Sequence, residues 1–196
     1  MKAILYNTYL LLGGIMWCFI STCMGQPSTK QHVENRRDSL LSPAEISTSY
    51  LYWYISHKSK LDRINIFQAD TASDTDNYKV DFKRVNFYLN QIKKSGFVSE
   101  KYIDTLKKAY LAADEKLNLH PQNDGPIQGF EYDPILGIQE ETEITQNVNE
   151  FKVISNSIKD DHAVVLGKIS DTLWIRFDLS KTDKKWLINA MHPYFK

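Results

Sequence analysis

The residues best suited to chemistry gather on one helical face and in one acidic cluster. Tyr50, Trp53, Tyr54 and His57 recur at helical spacing, and aromatic walls with a few polar tips are what ligand pockets are made of. Tyr54 and His57, with Asp133 further along, are the first candidates to line such a pocket. The ordinary alternative is a core stripe, which is what an aromatic face at this spacing forms in most helices. Glu140, Glu141 and Glu143 make the second concentration. Paired carboxylates divide acid and base roles only where a cleft separates their pKa values. After a loop, and with Ile144 as the cluster's apolar neighbour, they read more simply as a solvated acidic rim suited to a basic protein partner.

Other chemistries leave no trace. His32, His57, His120, His162 and His192 lack the i, i+4 pairing or close His/Cys spacing of a zinc site, so no metal or other cofactor is expected. No serine lies in a Gly-x-Ser-x-Gly elbow, and the few glycines are too dispersed for a phosphate loop. The 24 basic and 24 acidic residues balance, without the basic excess of a nucleic-acid binder. The residue types favour a noncatalytic role and leave an enzyme open.

The two cysteines, Cys18 and Cys23, both fall in the N-terminal segment. That segment has a positive start at Lys2, an apolar run from Ala3 to Ile20 and small or polar residues from Ser21, which reads as a secretory signal. Its length would also serve a membrane anchor. Asn7, Thr8, Gly13 and Gly14, with the polar run after Gly25, favour removal. Ile20-Ser21-Thr22-Cys23 resembles the lipobox of bacterial lipoproteins, with Thr22 departing from the usual small residue. The resemblance implies lipidation at Cys23 and a membrane tether, the only membrane contact expected; cleavage after Gly25 would instead leave the domain free. The expected location is the periplasm or the outer membrane of a Gram-negative bacterium. Removal of 25 residues from 196 leaves 171, enough for one domain with a sizeable core and no disulfide.

The elements that must position the candidates follow from the patterning. Residues 26–41 are polar, mixed in charge and without apolar period, as in a spacer. A single domain is expected over 42–196. Ser42-Pro43-Ala44-Glu45 forms a capping box with proline at the first helical position, so a helix is predicted over 43–58. Phe82, Val85, Tyr88 or Leu89, and Ile92 mark a second helix ending near Gly96. Ser99 caps a third, with Val98 and Ile103 placed as a hydrophobic staple and Leu106, Tyr110, Ala113 and Leu117 continuing the stripe. Residues 68–78 and 118–129 read as irregular connections.

Beyond residue 148 the period changes to two. Leu173, Ile175, Phe177 and Leu179 alternate with Trp174, Arg176 and Asp178, the pattern of a strand with one buried face. Residues 151–158, 163–169 and 186–191 read alike, and the short polar links between them join antiparallel neighbours. The expected fold class is α+β, with N-terminal helices packed on a curved antiparallel four-stranded C-terminal sheet.

Ala163 to Leu166, Leu173 to Leu179 and the closing Lys184-Lys185-Trp186-Leu187-Ile188 resemble the end of cystatin-like or NTF2-like domains. The aromatic helix from Tyr50 to Tyr54, Phe97-Val98-Ser99 opening a helix, and Asp133-Pro134-Ile135-Leu136-Gly137-Ile138-Gln139 resemble a bacterial family of small exported proteins of unknown function with that fold. The likeness spans about residues 42–192, and departs from the family pattern at Glu140. It implies a fold and no particular activity. The leading expectation is a noncatalytic exported binding domain of the cell envelope, its partner a protein or a small apolar ligand. Two others are an immunity protein that plugs a secreted toxin, and an NTF2-like pocket enzyme or small-ligand binder.

Overall fold

The computed structural model describes residues 41–69, 77–139 and 142–195, and the N-terminal segment with Cys23 lies outside them. Helix α1 spans Pro43–Leu61. The Ser42 hydroxyl accepts from the Glu45 amide, and the Glu45 carboxylate accepts from the Ser42 amide at 2.8 Å. The helix runs one turn beyond the expected 58 because its last turn is buried. Lys58 and Leu61 both lie inside, the lysine among charged partners that its sequence neighbours do not reveal.

Two short strands follow, β1 Phe67–Gln68 and β2 Lys79–Val80, paired antiparallel with Phe67 opposite Val80. They clamp the ends of the polar connection expected at 68–78, of which 70–76 lie outside the described residues. Helix α2 spans Phe82–Lys94, capped by Asp81, whose carboxylate accepts from the amides of Lys83 and Arg84. Val85, Tyr88, Leu89 and Ile92 are its buried face. Helix α3 spans Glu100–Leu119 and is capped by Ser99. Its buried stripe begins at Tyr102, and the half-buried Ile103 packs against the core that holds Val98.

Helix α4, Thr142–Asn147, and a 3-10 turn at Val148–Glu150 were not legible in the sequence. Ile144 and Val148, four residues apart, are both buried, so the apolar neighbour of the acidic cluster belongs to the core. Six residues hold too few apolar repeats to stand out from a loop.

The sheet has four strands in chain order: β3 Lys152–Lys159, β4 His162–Lys168, β5 Leu173–Thr182 and β6 Lys185–Phe195, all antiparallel. The last two strands are longer than expected. Asp183 and Lys184 both take positive φ (49° and 67°), the backbone of a two-residue hairpin turn whose twist matches the strands it joins. The α+β class with a four-stranded antiparallel meander is therefore the architecture.

Leu173, Ile175, Phe177 and Leu179 of β5 face inward with Ala163 and Val165 of β4 and Ile188 of β6. Helix α1 crosses β3, β4 and β6, closing this face with Ile46, Tyr50 and Leu51. The α2–α3 link is tied to the sheet where Ile188 donates to the Phe97 carbonyl and accepts from the Ser99 amide, both at 2.9 Å. The opposite edge strand, β3, is exposed along its whole length. No helix among the described residues is long and apolar enough to cross a membrane.

Gly167 faces the ring of Phe151, and a Cβ there would overlap the ring edge. Gly167→Ala is expected to destabilise the fold by about 1–3 kcal/mol through overpacking. Urea unfolding checks this, with the midpoint lowered and the slope unchanged.

Candidate functional site

Tyr50, Tyr54, Lys58 and Leu61 follow one another along the buried face of α1. The loop from Tyr132 to Ile138 approaches this face and presents Asp133, whose side chain is only 2 % exposed. Asp133 Oδ2 accepts the Tyr54 hydroxyl at 2.6 Å and lies 3.1 Å from Lys58 Nζ. Its Oδ1 accepts the amides of Ile135 and Leu136 at 2.8 and 2.6 Å. The Asp133 carbonyl also accepts from the amide of Gly137, whose φ of +66° suits glycine at this tight return. Lys58 bonds both oxygens of Asp62 at 2.9 and 3.0 Å.

Every acceptor direction of the Asp133 carboxylate is thereby directed at a fixed structural donor. A general base needs an oxygen free to take a proton from a reactant, and a buried carboxylate with four donors serves to hold a loop. The sequence candidates Tyr54 and Asp133 are brought together. Both border a hollow of about 270 Å³ that also includes Tyr88, Tyr110 and Phe130.

His57 is separated from them. It lies on another flank of α1, its ring stacked on Trp53 at a centroid distance of 4.8 Å and an interplanar angle of 21°. Its Nδ1 lies 2.8 Å from the Trp53 carbonyl oxygen. A carbonyl can only accept, so Nδ1 carries the proton and Nε2 is left to meet a ligand. Trp53, His57, Lys60 and Ile64 form one wall of a groove of about 280 Å³, and Phe87, Gln91 and Lys94 of α2 form the other. Phe87 is 56 % exposed. No carboxylate lines the groove, and neither Lys60 nor Lys94 makes an ion pair among the described residues.

Phe87, Gln91 and Lys94 escaped sequence reasoning, though one signal was present. Phe87 is an aromatic residue off the Val85, Tyr88, Leu89 and Ile92 stripe of an amphipathic helix. Of the acidic rim, Glu140 and Glu141 lie outside the described residues, and Glu143 belongs to the first turn of α4.

Buried tyrosines surround the carboxylate node. Burial, then the neighbouring Tyr88 hydroxyl and the Asp133 charge, push the Tyr54 hydroxyl far above its ordinary value. Burial first, then Tyr102, does the same for Tyr50, whose hydroxyl donates to Tyr102 at 3.1 Å. Tyr88, Tyr102 and Tyr110 are likewise raised, chiefly by burial. Comparison with protein-family models, curated proteins and solved structures finds no match for this chain.

Two outcomes are expected. Asp133→Ala deprives the buried Lys58 of its buried carboxylate partner and releases two loop amides, a loss of about 3–5 kcal/mol. Tyr54→Phe, which removes one bond to the charge, costs about 1.5–3 kcal/mol. Denaturant unfolding of the two variants checks the order. The second concerns pH. A tyrosine held neutral by burial holds its proton more tightly in the fold than in the unfolded chain. Its stabilising contribution is intact below the ordinary tyrosine value of 10 and is lost as pH rises above it, by about 1.4 kcal/mol per pH unit for each such group. Tyrosinate absorbance in an alkaline titration should therefore show a gradual exposed fraction and a cooperative fraction that appears together with loss of the circular dichroism signal.

Proposed function

We propose that this chain is a noncatalytic exported binding domain of the bacterial cell envelope. The observation that carries the reading is a contrast between two polar sites. The buried Tyr54–Asp133–Lys58 node has its bonding capacity taken up by structure, whereas the α1–α2 groove sets aromatic surface beside lysines that make no ion pair among the described residues. Exposed apolar surface beside uncommitted charge is how a binding surface differs from a packed one.

A helix laid across a four-stranded antiparallel meander supports the cystatin-like or NTF2-like comparison, which leaves function to the site the fold carries. Export rests on the charged, apolar and polar succession of the first 25 residues, and location in the periplasm or at the outer membrane follows from it. Cys23 is the residue through which a lipid would tether the domain, and the polar stretch after it would let the domain stand away from the membrane.

The test is fractionation of a Gram-negative host expressing the full chain, followed by native mass spectrometry of the purified product. The expected result is a processed chain in the envelope fraction, carrying a protein or small-molecule partner that Phe87→Asp releases. If the anchor is lipid, the processed chain begins at Cys23 and carries acyl mass beyond its polypeptide, and Cys23→Ala abolishes that species. An unprocessed 22.8 kDa chain in the cytoplasm would overturn the reading.

A further inference from the structure

Resting on the binding reading just given, the geometry points to a specific ligand class: we propose that the α1–α2 groove binds a small aromatic carboxylate. The argument begins with which side chains the two helices leave over after packing. On α1, Trp53, His57 and Lys60 lie three or four residues apart and flank the buried stripe of Tyr50, Tyr54 and Leu61, with Ile64 just beyond the helix end. On α2, Phe87, Gln91 and Lys94 repeat at the same spacing beside the buried Val85, Tyr88 and Ile92. Each helix therefore carries a second short stripe, and the two stripes face one another across the groove.

The composition of the walls selects the ligand. Phe87 is exposed and lines the groove together with the stacked pair of Trp53 and His57, and rings bind another ring in offset or edge-on contact. Lys60 and Lys94 bring positive charge and no carboxylate lines the site to neutralise it, so the complementary polar group is an anion. His57 Nε2, Gln91 and Ser95 supply hydrogen-bonding groups of either sense. At about 280 Å³ the groove falls at the lower limit of ligand pockets, which suits one ring system with a short acidic arm and excludes a long acyl chain. The hollow beside Asp133 has the opposite character: its charged lining residues are the carboxylates Asp62 and Asp133, which share the cation Lys58, so it repels an anion.

The experiment is isothermal titration of the full chain with indole-3-propionate, its neutral amide, and octanoate. Indole-3-propionate is expected to bind with a dissociation constant on the order of 0.1–1 mM, and the amide at least about tenfold more weakly. Lys60→Gln with Lys94→Gln should weaken the acid about tenfold and leave the amide unchanged. The control pair Lys83→Gln with Lys107→Gln removes the same charge from exposed positions outside the groove and should change neither. Phe87→Ser should weaken acid and amide alike, and all variants keep their helical circular dichroism because the substituted side chains are exposed.

Octanoate binding as tightly as the indole acid would overturn the aromatic assignment, and equal binding of acid and amide would overturn the anionic one. Absence of binding by all three probes would overturn the ligand class. If a Phe87-dependent partner is still recovered from the envelope, the general binding reading survives that failure; if none is recovered, both fall.

Discussion

The structure depends on one buried charge. Asp133 is drawn out of water by a loop that would otherwise have two unsatisfied amides, and it is neutralised by a lysine that sits on the buried face of a helix. Removing a carboxylate from water carries a large desolvation penalty, which is offset only when its bonding directions are filled and a cation lies close. Here four donors fill them. The same contacts fix the last turns of α1, bring the loop against them, and bury Ile135, Leu136 and Ile138 beside the core. Lys58 in turn explains why α1 runs to Leu61 instead of ending in a string of polar residues.

This constraint propagates through aromatic packing. Tyr50 meets Tyr102 edge-on at 6.0 Å, Tyr88 meets Tyr110 at 6.1 Å, and Tyr110 stacks on Phe130 at 4.7 Å. The hydroxyls of Tyr50 and Tyr102 satisfy one another, and that of Tyr54 is satisfied by Asp133. Tyrosine serves where a large apolar surface must be buried and a polar tip must meet a partner inside. Three helices and a loop are held by a small set of such rings, and the sheet contributes its own aliphatic layer beneath α1. The interior polar groups of this network satisfy one another, whereas the flank of α1 and α2 carries lysines without an ion pair among the described residues.

Much of the fold was legible. Ser42 and Glu45 announced the start of α1, the Leu173 to Leu179 alternation announced the buried face of β5, and the polar links announced antiparallel order, because each signal is local. Helix α4 and the full length of β6 were not legible. A two-turn helix offers too few repeats, and β6 carries its pairing through backbone bonds across a bulge near Asn189, which side-chain pattern does not record.

The candidate residues divide along the same line. The sequence by itself determined that Tyr54 and His57 share a helix, that the chain carries a signal-like N terminus, and that alternating strands close the C-terminal half, since these depend on composition and spacing along the chain. Only the tertiary structure decided that Asp133, 79 residues away from Tyr54, accepts its hydroxyl, that His57 turns away from both, and that Phe87 and Lys94 stand across from it. The physical reason is that helical spacing gives the angle of a side chain about its own axis, whereas its partner depends on how the axes pack and which buried charge must be satisfied.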